Sequence, residues 1–338
     1  MSYSLFRPIL FGLAPETAHH AAFTALDVQA KLGLARLWAG TLPKKPVTVM
    51  GLDFDNPIGL AAGLDKNAEH LEGLAQLGFG FLEIGTLTPL PQPGNPQPRM
   101  FRLPEHEGLI NRLGFNNDGV EAALPRLQSR KTKMPVGVNI GKNAATPIDE
   151  ATSDYIKALQ RVYETADYIT VNVSSPNTKN LRDLQAPDSI AGLVTALLRE
   201  RSKLKRSTGK HRPIAVKISP DIADADVADV VRAICDAGAD AIISTNTTIS
   251  REGVSAHMHA KEAGGLSGAP LTQRADRVLE KVIAAAGNTP VIGVGGIMSV
   301  ADAQRKLDIG AKLIQIYTGM LYRGPGFVGE LVRGVKVS

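Results

Sequence analysis

Residues 168–178 read "YITVNVSSPNT": an alternating run that ends on Asn172 and breaks into Ser174, Ser175, Pro176 and Asn177. Acyl transfer by serine requires a positioned base, most often histidine. The nearest histidines along the chain are His106 and His211, so no local dyad can be read here. Other short apolar runs also end on polar residues or glycine. They lead into Ala61-Ala62-Gly63 and Leu64-Asp65-Lys66-Asn67, Gly85-Thr86, Asn139, Lys217, Thr245-Asn246-Thr247, Gly293-Val294-Gly295-Gly296 and Tyr317-Thr318-Gly319.

The chemistry of these ends differs. Paired glycines at 295–296, with Thr318 and Gly319, would let backbone N–H groups approach an anion such as a phosphate. A lysine ending a buried strand, Lys217, is a salt-bridged core residue, a Schiff-base nucleophile, or a cation facing developing negative charge. Asn139, Asn172 and Asn246 at strand ends, with Asn111 and Asn177 in loops, each offer a donor beside an acceptor. Such a set suits a planar heterocycle with alternating N–H and C=O groups, either a flavin or a pyrimidine.

The elements that must carry these residues are eight apolar runs separated by helical stretches. They are 58–62, 80–85, 136–140, 168–173, 214–218, 240–245, 290–294 and 312–316. Near-continuous apolar strands alternating with helices predict a parallel sheet covered on both faces. The count favours a closed α/β (β/α)8 TIM barrel over an open doubly wound sheet. The polar ends then crowd one rim, and the loops after the seventh and eighth strands fall where barrels bind phosphate. Residues 87–117, proline-rich and loop-like, and residues 246–270 interrupt the rhythm, and loops this long usually carry function. Residues 47–54 read as a hairpin around Met50-Gly51.

Residues 1–40 stand apart as an N-terminal helical extension to a catalytic barrel over 41–338. Pro15 and Glu16 suit a helix start, and Ala18, Ala21, Ala22, Ala25 and Leu26 recur at helical spacing. The pair of helices either packs on the barrel or dips an apolar face into a membrane surface. With 338 residues, 43% hydrophobic and 21% charged, the chain can bury a large core. A net charge of +5 suits an acidic substrate or an anionic surface. No basic block is long enough for a nucleic-acid stripe; "KLKR" at 203–206 reads as a solvated helix end. The single cysteine, Cys235, forbids an intramolecular disulfide and reads as a buried structural thiol. No CxxC or HExxH motif supports a zinc site, no apolar stretch reaches a membrane span, and the N-terminus lacks a signal-peptide pattern.

Taken in order, "NPIGLAAGLDKN", "EIGTLTPLPQPGNPQPRMFRLPE", "LINRLGFNN", "VNVSSPNT", "AVKISPD", "STNTT", "GGLSGAPL", "IGVGGI" and "QIYTGMLYRGP" resemble the dihydroorotate dehydrogenases, specifically their membrane-associated, quinone-reducing class. The resemblance covers essentially the whole chain. Leu64 departs from it, standing where many members have phenylalanine.

The resemblance implies an FMN-dependent enzyme that oxidises (S)-dihydroorotate to orotate in pyrimidine biosynthesis. FMN would be surrounded by Ala62, Gly63, Lys66, Thr86, Asn139, Asn172, Lys217, Thr245, Gly268, Gly295, Gly296, Tyr317, Thr318 and Gly319. Substrate would meet Lys66, Asn111, Arg112, Leu113, Gly114, Phe115, Asn172, Asn177, Asn246 and Thr247. The catalytic base maps onto Ser175, with Thr178 and Phe115 serving its proton. Where the soluble class has a cysteine base, this chain has serine. His19, Arg102 and Tyr317 match positions lining the passage of a quinone, ubiquinone or menaquinone. The implied protein is a monomer, peripheral to the membrane on the cytoplasmic face if bacterial, and binds no nucleic acid or metal. Alternatives are fumarate or NAD as oxidant, a flavin-free phosphate-binding lyase or isomerase, and a non-catalytic binding protein.

Overall fold

A computed structural model describes residues 3–337; Met1, Ser2 and Ser338, at the outer ends of the two expected segments, lie outside them. Among the described residues eight parallel strands close into a barrel. They are β1 (Ile58–Leu60), β2 (Phe81–Leu87), β3 (Val136–Ile140), β4 (Tyr168–Asn172), β5 (Ile214–Ile218), β6 (Ala241–Ser244), β7 (Val291–Val294) and β8 (Leu313–Ile316). Each strand pairs with the next in sequence, and β8 closes on β1. All are buried along their length, which is why they appear as unbroken apolar runs.

The amino-terminal end of the barrel is plugged with aromatic rings. Phe54 meets Phe81 edge-on at 5.2 Å, and Tyr168 lies 6.4 Å from Phe81. Gly59 and Gly137 make room for them, since a Cβ there would stand 2.2 Å and 2.1 Å from the rings of Phe81 and Tyr168. Phe54 comes from the expected hairpin, Val47–Val49 paired with Leu52–Phe54. Met50 and Gly51 both have positive φ, 56° and 74°, the conformation of a tight two-residue hairpin turn.

The helices outside the barrel bury one stripe each. In Val227–Asp236 the buried residues are Val227, Val230, Val231 and Ile234. Cys235 on that helix is only half-buried, not fully buried as expected, and its Sγ donates to Ala286 O at 3.6 Å.

The insertions differ from their sequence reading. Residues 87–117 are not simply a loop: Met100–Leu103 and Gly108–Asn111 form antiparallel strands. Gly265–Gly268 from the second insertion completes this three-stranded sheet, with Gly265 opposite Asn111. The two insertions thus form one roof at the carboxyl end of the barrel.

The N-terminal segment comprises helices Arg7–Gly12, Pro15–Lys31 and Arg36–Ala39 after a short turn at Tyr3–Leu5. Phe23, Leu26 and Ala35 are buried within the same apolar core as the barrel strands. Glu16 is tied to the roof by Arg99, through Nε at 3.0 Å and Nη2 at 2.8 Å. Leu5, Ile9, Leu32 and Leu37 remain more than 60% exposed on its outer side. Among the described residues no helix is long and apolar enough to cross a membrane.

Candidate active site

The carboxyl ends of the strands and the roof enclose a cavity of about 1020 Å³, counted to its open mouth. Its wall includes Ala62, Gly63, Lys66, Thr86, Asn111, Leu113, Gly114, Phe115, Asn172, Ser175, Asn177, Lys217, Thr245, Asn246, Thr247, Gly268, Gly295, Gly296, Tyr317, Thr318 and Gly319. Those are nearly all of the residues expected at a cofactor and substrate site. Three expected residues are absent from the wall. Asn139 sits beneath it, accepting from Thr86 Oγ1 at 2.6 Å and Asn172 Nδ2 at 3.1 Å. Arg112 faces away: its guanidinium donates to Glu262 Oε2 at 2.6 Å and Pro98 O at 2.8 Å and covers the Phe101 ring. Thr178 is buried with its Oγ1 unpartnered. Sequence reasoning missed Ser267, Leu271, Met298 and Gln315 in the wall; Ser267, within the quoted "GGLSGAPL", accepts from Thr318 Oγ1 at 2.9 Å.

The break after β4 separates the two serines. Ser174 Oγ donates inward to Asn172 Oδ1 at 3.0 Å and accepts from Asn246 Nδ2 at 2.9 Å. Ser175 lines the cavity, and its Oγ accepts from the Asn177 backbone N–H at 3.2 Å. Its hydroxyl proton has no acceptor among the described residues. Asn177 Nδ2 donates to Asn111 Oδ1 at 3.1 Å, which joins the β4 loop to the roof.

After β7 and β8 the backbone draws close around one corner. Gly295 and Gly296 have φ of 103° and 71°. A Cβ on Gly296 would meet Thr272 Cα at 2.3 Å, and one on Gly319 would meet Ile297 O at 2.2 Å. Glycine is required there, and the backbone is bared to the cavity as an anion cradle requires.

Two lysines bring positive charge. Lys217 closes β5 opposite Asn172 on β4. Burial lowers its pKa, and the charge of Glu83 opposes that shift. Lys66 is lowered to about 8, chiefly by burial, with Glu16 acting in the opposite sense. Neither ammonium has a hydrogen-bond or ion-pair partner among the described residues. Buried cations at a cavity without protein partners suit an anionic ligand or cofactor edge. Among the described residues no cluster of three or more His, Cys, Asp or Glu is placed to hold a metal ion.

A second, largely apolar cavity of about 950 Å³ lies between the N-terminal helices and the barrel. His19, Arg102 and Tyr317, the three residues expected along a quinone passage, all line it. Arg102 donates to Leu13 O at 2.8 Å and packs over Phe11 at 4.9 Å. His19 is pushed down to about 3, mainly by burial, so it is a neutral imidazole at ordinary pH. Tyr317 borders both cavities and is pushed up to about 12 by burial, so it keeps its proton.

Glycines, amides and two lysines without partners among the described residues converge at the carboxyl rim of a closed parallel barrel, which defines a (β/α)8 barrel with its cavity at the face where such folds bind ligands. The family model for dihydroorotate dehydrogenase matches residues 45–337. The chain belongs to the dihydroorotate dehydrogenase family. It is 50% identical over 335 residues to a dihydroorotate dehydrogenase (quinone) of Marinobacter nauticus, covering 99% of this chain and 98% of that one. Its identity to the Chromobacterium violaceum protein of the same description is 52%, over 98% and 97% of the two chains. A crystal structure of the Eimeria tenella enzyme in complex with ferulenol superposes with a TM-score of 0.84 at 36% identity, covering 96% of this chain and 93% of that one.

Proposed function

We propose that this protein oxidises (S)-dihydroorotate to orotate and passes the electrons through FMN to a membrane quinone. The observation that carries this reading is the pair of cavities meeting at Tyr317, one lined by amides, lysines and Ser175, the other almost wholly apolar and bounded by the N-terminal helices.

The residues present fit FMN. Gly295, Gly296, Thr318 and Gly319 would hold its phosphate. Thr86, Asn172 and Lys217 would face its ring, where Lys217 supplies the unpaired cation and Gln315 Oε1 an unpartnered acceptor. When bound, FMN supplies the acceptor for the hydride leaving C6 of the substrate.

The chain's own residues do the rest. Lys66 and the backbone at Leu113–Phe115 hold the substrate carboxylate, while Asn111, Asn177, Asn246 and Thr247 orient the pyrimidine edge. Arg112 serves by bracing the roof. Ser175 Oγ takes the C5 proton. A free hydroxyl is a poor base at neutral pH, and the Asn177 N–H that it accepts stabilises charge building on Oγ. As Oγ takes that proton its own hydroxyl proton must leave, and buried Thr178, whose Oγ1 has no partner among the described residues, is the group assigned to receive it, with half-buried Phe115 walling the exit. Residues 1–40 form the quinone-access segment and rest their exposed leucine and isoleucine side chains on the membrane surface; residues 41–338 form the catalytic barrel.

The test is acceptor choice by the purified full chain. Dihydroorotate turnover should be rapid with a soluble quinone analogue and negligible with fumarate or NAD. Preference for fumarate or NAD would refute the quinone assignment.

A further inference from the structure

Beneath the cavity lies a carboxylate to which the proposed chemistry gives no task. Glu83, on β2, is fully buried. Among the described residues it has no ion pair, and neutral groups hold it: Asn139 Nδ2 donates at 2.8 Å, Tyr168 OH at 3.0 Å, Thr170 Oγ1 at 3.1 Å and Gln315 Nε2 at 2.7 Å. Burying an ion this way is costly unless its charge is used.

Two consequences follow from its position. The first concerns orientation. A carboxylate only accepts hydrogen bonds, so Asn139 must turn Nδ2 toward Glu83 and its Oδ1 away. That Oδ1 accepts from Asn172 Nδ2 at 3.1 Å. Asn172 Oδ1 then accepts from Ser174 Oγ at 3.0 Å, which accepts from Asn246 Nδ2 at 2.9 Å. A one-way chain of donors therefore runs from the cavity wall down to Glu83. In the same way Gln315, committed to Glu83 through Nε2, leaves Oε1 unpartnered.

The second concerns charge. Among the described residues Lys217 is buried without a direct partner, and the charge of Glu83 favours its ammonium form. The other titratable group facing Glu83 is Tyr168, which burial and Glu83 both keep protonated.

We propose that Glu83 is a positioning residue of this site, fixing which way Asn139, Asn172 and Gln315 face the ligand and lending its negative charge to Lys217. The proposal rests on the reading of the cavity as an FMN site, but its tests do not require dihydroorotate oxidation.

In the full-length holoprotein, the flavin midpoint potential should be measured against pH from 6 to 9 for wild type and Glu83→Gln. Without Glu83 the Lys217 ammonium is disfavoured further while the flavin is oxidised, and negative charge gathering on reduction favours it again. The variant's potential should therefore fall more steeply with pH, by up to one extra tenfold change per pH unit, about 30 mV for a two-electron couple. An unchanged slope overturns the proposal. Thermal denaturation of the proteins without FMN gives an independent arm. Lys217→Met leaves Glu83 charged and unsupported, so Glu83→Gln should lower the melting temperature less in the Lys217→Met background than in wild type. Equal lowering in the two backgrounds would show that the two charges are not coupled and would also overturn it. A protein that passes both tests but does not oxidise dihydroorotate would refute the function and leave the role of Glu83 standing.

Discussion

The Asn177 backbone N–H donates to Ser175 Oγ at 3.2 Å, across a turn that contains Pro176. The bond holds the hydroxyl at the cavity wall and offers a dipole to any charge that develops on it. Ser174, one residue earlier, is committed to Asn172 and Asn246 and is not available for proton transfer.

Ser175→Ala should therefore slow flavin reduction by dihydroorotate by at least about 100-fold, the usual scale for losing a positioned base. FMN content should be unchanged, because Ser175 lies apart from the glycine cradle. Stopped-flow absorbance measures the rate. Ser174→Ala should act differently, loosening Asn172 and Asn246 and raising the substrate KM. Near-normal reduction by the Ser175 variant would remove it from the mechanism.

The proposed contact between Lys66 and the substrate carboxylate carries a pH dependence. Its pKa, lowered to about 8 by burial, means that the ammonium is present below pH 8 and lost above it. Orotate binding should be flat below about pH 7 and weaken up to tenfold per pH unit above pH 8. Lys66→Met should bind more weakly at pH 7 and lose that dependence. Flavin spectral titration with orotate reads both. A wild-type profile that stays flat to pH 9 would contradict the assigned carboxylate contact.

The apolar cavity allows the two half-reactions to be separated. Ala22 lines it, on the helix Pro15–Lys31. Ala22→Trp should fill part of that space and slow reoxidation of the reduced flavin by quinone at least about tenfold. Reduction by dihydroorotate should be unaffected, since Ala22 does not border the other cavity. Equal slowing of both half-reactions would mean that the segment only supports the fold. This substitution is cleaner than removing residues 1–40, because Phe23, Leu26 and Ala35 belong to the barrel's core.

Much of this architecture was legible in the sequence for a physical reason. Strands buried on both faces appear as apolar runs, and polar residues ending such runs can only gather at one rim. The hairpin was legible because Met50-Gly51 adopts a turn that few residue pairs favour. What escaped was long-range pairing. Prolines from 91 to 98 suggested a loop, whereas Met100–Leu103 pairs with Gly108–Asn111, and Gly108–Asn111 finds its second partner beyond residue 264, at Gly265–Gly268. Depth along a strand escaped as well. Asn139 looked like a rim residue, yet Thr86 and Asn172 cap it from above. The orientation of Arg112 depends on Glu262, which only the folded roof brings near. Glu83 sat unremarked inside an apolar run because its four donors come from three other strands, β3, β4 and β8.

The most direct measurement is the visible spectrum of the purified protein under anaerobic conditions. The spectrum should show bound flavin that bleaches within seconds of adding dihydroorotate and returns on adding a quinone. A protein without flavin absorbance, or one whose flavin stays oxidised in excess dihydroorotate, would contradict the account.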